Sequence, residues 1–113
     1  MKVEEIYSII IKKITEKISE IIGPASRTLF KMSAEKIIEN YGNMIELKYN
    51  GEIKILFKKE MSEEEKIGIL NAVLKTMNFS YKKIIGLSAD RIFNNVIEEV
   101  KKETKTRIRI ITF

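Results

Sequence analysis

The sequence predicts an α+β fold in which a small three-stranded sheet, antiparallel or mixed, packs on four helices in the order α-α-β-β-α-α-β. Apolar residues recur at helical spacing in four segments, and two regions, 44–58 and 107–112, alternate between apolar and polar side chains. Glycine-containing breaks separate these segments. With 113 residues, 44% hydrophobic and 33% charged, the chain has the size and composition of one folded domain. We therefore predict a single globular domain over residues 1–113.

The first helix has an unusually wide apolar surface. One stripe recurs at helical spacing, at Val3, Tyr7, Ile10, Ile14, Ile18 and Ile21. Four further isoleucines widen it: Ile6, Ile9, Ile11 and Ile22. Gly23-Pro24 ends this helix, because Gly suits a left-handed cap and Pro is favoured at the start of a new helix. The second helix is predicted to run to about Tyr41, and Gly42 stops it.

A β-hairpin is predicted next. Met44 to Tyr49 and Glu52 to Lys58 alternate between apolar and polar side chains, and Asn50-Gly51 between them is the preferred sequence of a type I′ turn. The third helix begins at Ser62, where Glu65 completes a capping box.

The last part of the chain is predicted to contain a break, a helix and a strand. Asn78 to Ser80 would break or kink the third helix before Tyr81 to Ile85. After Gly86, Leu87 or Ser88 starts the fourth helix. Arg107 to Thr112 then alternates as a third strand, able to pair within the chain or with a second subunit.

The sequence partly repeats itself at an offset of 63 residues. Ile21-Ile22-Gly23 recurs as Ile84-Ile85-Gly86, and the order of predicted elements repeats with it. This pattern predicts an internal ααβ duplication with halves 1–60 and 61–113, the alternative being two unrelated helix pairs in an isoleucine-rich chain. Arg27 and Asp90 then occupy equivalent positions, and pseudo-twofold packing would let them form an ion pair.

The residue inventory argues against catalysis. The chain has no His and no Cys, so the usual proton shuttle near neutral pH and the best nucleophile are missing. We expect no catalytic, metal-binding or cofactor-binding residues and no cofactor. No segment approaches the length of a membrane span, and the acidic start is unlike a signal peptide, which predicts a cytoplasmic protein without membrane contact. The Lys/Glu-rich composition favours a thermophilic source.

The leading functional hypothesis is a non-enzymatic protein–protein interaction or regulatory module that self-associates, as a homodimer, and binds another protein. It depends on the wide apolar face of the first helix and on the terminal strand. The candidate interaction surface consists of Ile6, Ile9, Ile11, Ile22, Arg107, Arg109, Ile111 and Phe113.

Two alternatives remain open. A net charge of +5 allows nucleic-acid binding by a basic sheet face. Its candidate residues are Lys48, Lys54, Lys58, Arg107 and Arg109. Glu46 and Glu52 lie near that face, and it lacks aromatic residues for stacking on bases, so a merely solvated face is the competing interpretation. The other alternative is a small-ligand sensor with a pocket between the helix pairs.

Overall fold

Four helices and a two-stranded antiparallel hairpin form the part of the chain that the computed structural model describes, residues 1–49 and 53–113. The elements are α1 (Val3–Ile22), α2 (Ala25–Tyr41), β1 (Ile45–Tyr49), β2 (Ile53–Phe57), α3 (Glu63–Ile85) and α4 (Ser88–Thr104). The predicted α+β class and the four helices are confirmed. The prediction of a third strand is wrong, because only two strands occur in the described ranges.

The two helix pairs turn at corners with the same geometry. Gly23, with φ 65°, caps the end of α1, and Gly86, with φ 64°, caps the end of α3. Each glycine N–H donates to the carbonyl four residues earlier, of Ser19 (2.8 Å) and Lys82 (2.9 Å). These positive φ values explain the need for glycine at both corners. α2 and α4 are each 17 residues long and start 63 positions apart, while the duplication itself stays a prediction.

Two helices, α1 and α3, lie at the centre of the bundle. α1 contacts α2, α3, α4 and β2, and α3 contacts the three other helices, whereas α2 and α4 do not touch each other within the described residues. The predicted ion pair between Arg27 and Asp90 is accordingly not formed. The Asp90 carboxylate accepts instead from Lys82 Nζ and from Asn78 Nδ2, both at 3.0 Å.

α3 is continuous from Glu63 to Ile85, so the predicted break at Asn78 to Ser80 is wrong, while the alternative of a kink there stays a prediction. Polar side chains are accommodated inside the helix because Thr76 and Ser80 donate their hydroxyl groups to carbonyls one turn earlier, and Asn78 is buried against Asp90. The predicted N-cap at its start is present: the Glu65 N–H donates to Ser62 Oγ at 3.2 Å, and the Glu65 carboxylate accepts from the Ser62 hydroxyl rather than from the Ser62 N–H of a full capping box.

The hairpin presents one apolar face to the helices. Ile45 pairs with Phe57 and Leu47 with Ile55, and these side chains are buried or half-buried. β1 contacts α2, and β2 contacts α1. The predicted Asn50-Gly51 turn lies outside the described residues.

The segment that follows α4 packs on helices. Lys105, with φ 53°, caps the end of α4. Residues 107–113 make no strand pairing; side-chain amides of α3 and α4 bind their backbone groups instead. Among the helices in the described ranges, none is both long and apolar enough to cross a membrane.

Candidate functional site

The wide apolar surface of α1 packs against other elements of the same chain. Ile6 and Ile11 are 2% and 1% exposed, and Ile9 and Ile22 are half-buried against the core. A helix that contacts four other elements needs apolar residues around most of its circumference. The isoleucines proposed as an interaction surface therefore have partners within the chain, and self-association stays a prediction without that support.

The remaining apolar residues of that surface are held by helix side chains. The Asn94 amide donates to the backbone oxygen of Phe113 (2.7 Å) and accepts from its N–H (2.8 Å). The Phe113 ring packs edge-to-face on Phe93, with 5.1 Å between centroids. Ile111 is half-buried, and its N–H donates to Asn71 Oδ1 at 3.1 Å.

Asn71 joins this segment to α1. Its Oδ1 also accepts from the hydroxyl of Tyr7 at 2.7 Å, and its Nδ2 donates to the Arg109 carbonyl at 3.2 Å. Tyr7 is fully buried, and this burial raises the pKa of its hydroxyl well above the ordinary value. Asn71 thus supplies hydrogen-bond partners to the backbone of residues 109–111, as a neighbouring strand would do in a sheet.

The cations predicted to share a sheet face are divided between different parts of the molecule. Lys48 and Lys54 are exposed and directly opposed across the hairpin. Lys58 lies just beyond β2, where its Nζ donates to the Gly42 carbonyl at 2.6 Å.

Arg107 and Arg109 lie elsewhere, in a groove of about 540 Å³ lined also by Glu63 and Glu64 at the start of α3. The five cations do not meet, because residues 107–113 do not join the sheet.

A basic groove that the sequence did not indicate runs between α2 and α3. Its volume is about 420 Å³. We call it the α2–α3 groove, and it is lined by Lys36, Asn40, Lys75, Thr76, Phe79, Ser80 and Lys83. No acidic side chain of the described residues lines it, in contrast to the groove around Arg107.

An exposed aromatic ring lies within this groove. Phe79 is 65% exposed and is the one exposed aromatic side chain among those the structure describes. The ammonium of Lys83 lies 4.6 Å from the centre of its ring, a cation–π contact. A phenylalanine side chain stabilises a fold mainly by being buried, so Phe79, which stays largely exposed, contributes little of that stabilisation.

The lysines of the groove lack carboxylate partners. Lys36, Lys75 and Lys83 form no ion pair within the described ranges, although lysines 13, 66, 82 and 101 do. The groove therefore concentrates three positive charges around an accessible ring. One signal in the sequence could have indicated it: Phe79 lies off the inward positions of α3, which include Met77 and Tyr81.

The described part of the chain offers no obvious metal site. It contains no group of three or more His, Cys, Asp or Glu side chains placed to hold a metal ion. Tyr7 and Tyr81 are fully buried in the core, so neither side chain lines an accessible pocket for a small ligand.

Comparison of the chain with known protein families, with curated proteins and with solved structures found no match.

Proposed function

We propose that this protein is a non-enzymatic nucleic-acid-binding protein that uses the α2–α3 groove. The observation that carries the proposal is the presence of three lysines without carboxylate partners in the described ranges, Lys36, Lys75 and Lys83, around the exposed ring of Phe79. Cationic side chains neutralise phosphates, and aromatic rings stack on bases, so this combination fits nucleic acid better than a neutral ligand. The absence of His and Cys from the sequence supports a binding role without catalysis.

The spacing of the lysines suits a phosphate backbone. Lys75 and Lys83 both lie on α3, and eight residues at 1.5 Å per residue separate them by about 12 Å along the helix axis. In stacked, helical geometry one strand carries a charge about every 3.4 Å of axis, so about three phosphate steps span this distance, and fewer in an extended strand. Lys36 contributes a third cation from α2, on the other wall of the groove.

The α2–α3 groove is also a better candidate for nucleic-acid binding than the outer surface of the hairpin. Lys48 and Lys54 lie beside the carboxylate-bearing Glu46 on the outer hairpin surface, whereas no acidic side chain of the described residues lines the groove. The leading alternative is a self-associating interaction module. The isoleucines of α1 that are buried in the core cannot serve as its interaction surface. Light scattering at high protein concentration tests that alternative independently.

The experiment is an anisotropy titration of labelled oligonucleotides across a salt series. Three phosphate contacts predict that the logarithm of the association constant falls with log[salt] at a slope of about −2 to −3. We expect the triple variant Lys36→Gln, Lys75→Gln, Lys83→Gln to lose most of this slope. The matched control replaces three exposed lysines outside the groove, Lys12, Lys59 and Lys102, and lowers the net charge equally.

Three outcomes would contradict the proposal. The first is no binding even at low salt. The second is equal loss in the groove variant and the control, since that result assigns the affinity to net charge alone. The third is binding of polyglutamate as tight as that of an oligonucleotide of equal charge, which would indicate an acidic protein partner instead.

A further inference from the structure

We infer that the α2–α3 groove takes a single strand and that an unpaired base stacks on Phe79. This inference rests on the proposed function and specifies the form of nucleic acid that the site accepts. Its basis is the juxtaposition of the 65% exposed ring with three cations in one concave site, within the described part of the chain.

A duplex does not satisfy this site. In a double helix the faces of the bases are covered by their neighbours, so an aromatic side chain that is not inserted between them meets only edges and backbone. Helices that read duplex DNA protrude into a major groove about 12 Å wide. Here the functional side chains instead line a depression between two helices, in which a flexible strand can lie with one base turned toward the protein.

The position of Lys83 indicates how the base is received. In the free protein its ammonium covers the Phe79 ring at 4.6 Å from the centroid. A base stacking on the ring displaces this ammonium, which moves to a phosphate of the bound strand. The contact in the free protein is weak at an exposed position, so the exchange replaces one modest interaction with stacking and a charge pair.

The other lining groups predict limited base selectivity. The hydroxyl groups of Thr76 and Ser80 donate to carbonyls of α3, so they offer a ligand only acceptor capacity. Asn40 is the one amide in the groove lining and can contact a base edge. Every base has a stacking face, so binding is expected to tolerate different sequences and to accept both RNA and DNA.

The test uses Phe79→Trp as a local reporter. The natural chain has no Trp, so this variant carries a single indole at the stacking position. We expect single-stranded oligonucleotides of deoxythymidine or uridine to quench its fluorescence in a saturable way. The matching duplex should quench little at the same salt concentration. A second variant, Phe57→Trp, places the indole at a half-buried position on the hairpin and is the control.

Affinity measurements complete the test without relying on the reporter. Phe79→Ala should weaken single-strand binding about five-fold or more, while Phe79→Tyr retains it. Phe79→Leu, which keeps apolar bulk without an aromatic face, should behave like the alanine variant. Because the ring is largely exposed, circular dichroism should show each variant folded.

The two proposals fail in different ways. Stacking is wrong, and nucleic-acid binding stands, if the wild type binds oligonucleotides with the predicted salt slope while the fluorescence of the Phe79→Trp variant does not change and Phe79→Ala binds normally. Equal or tighter binding of duplex likewise overturns the single-strand inference. If the wild type binds neither form, the proposed function itself fails.

Discussion

Replacing Asn71 by Leu should destabilise the protein by about 3 kcal/mol. The substitution keeps similar volume but removes three hydrogen bonds, to the Tyr7 hydroxyl, the Ile111 N–H and the Arg109 carbonyl. The bonds to Ile111 and Arg109 are worth about 1 kcal/mol each net, and the fully buried Tyr7 hydroxyl, left without its partner, adds about 1 kcal/mol or more. At roughly 4 °C per kcal/mol for a chain of this size, the melting temperature should fall by about 12 °C.

Urea unfolding followed by circular dichroism measures this loss, and a double-mutant cycle with Tyr7→Phe assigns it. Tyr7→Phe alone should cost only about 1 kcal/mol, because Asn71 Oδ1 keeps the Ile111 N–H. In the double variant no buried hydroxyl is left without a partner at this position, so its cost should be about 1–2 kcal/mol below the sum of the single costs. Additive costs, or a loss below about 0.5 kcal/mol for Asn71→Leu, would refute the reasoning.

Two further predictions concern a helix corner and acid stability. Gly86→Ala should destabilise the protein by about 1–3 kcal/mol in thermal unfolding, because the φ of 64° and ψ of −147° at this position favour glycine. Gly68→Ala, in open space on α3, should instead stabilise the protein by about 0.5–1 kcal/mol. Similar effects of the two substitutions would contradict this reasoning. The hydrogen bonds from Lys82 and Asn78 lower the pKa of the Asp90 carboxyl below its ordinary 3.8, so its stabilising contribution is present above pH 3.8 and is lost as the pH falls through the lower folded pKa. Asp90→Asn should therefore flatten the dependence of unfolding free energy on pH in this acid range, and an unchanged pH profile would count against the Asp90 contacts.

Local signals in the sequence were sufficient to place the four helices and the two hairpin strands, although not the continuity of α3. The glycines at positions 23 and 86 and the Ser62 N-cap each determine backbone geometry within a few residues, and the structure contains all three features. Alternation in 107–112 did not predict a strand correctly, because an extended segment pairs only if another strand edge is available. Here Asn71 bonds the backbone of Arg109 and Ile111 instead, and Asn94 bonds the backbone of Phe113.

The candidate site could not be assembled from the sequence, because it depends on which helices lie side by side. Lys36 and Lys75 are distant in the chain and share a groove only because α2 packs against α3. The wide apolar surface of α1 had two explanations, a partner or a central position, and periodicity alone does not separate them. Ile11, at 1% exposure, shows that the central position explains it.

The central claim is that nucleic acid binds in the α2–α3 groove, and chemical-shift mapping tests it most directly. Titration of the isotopically labelled protein with a single-stranded oligonucleotide should perturb amide signals along α2 and α3, concentrated at Lys36, Asn40, Phe79 and Lys83. Perturbations centred on Lys48 and Lys54 of the hairpin would place the ligand on the sheet surface and contradict the claim. An unchanged spectrum at low salt would contradict nucleic-acid binding altogether.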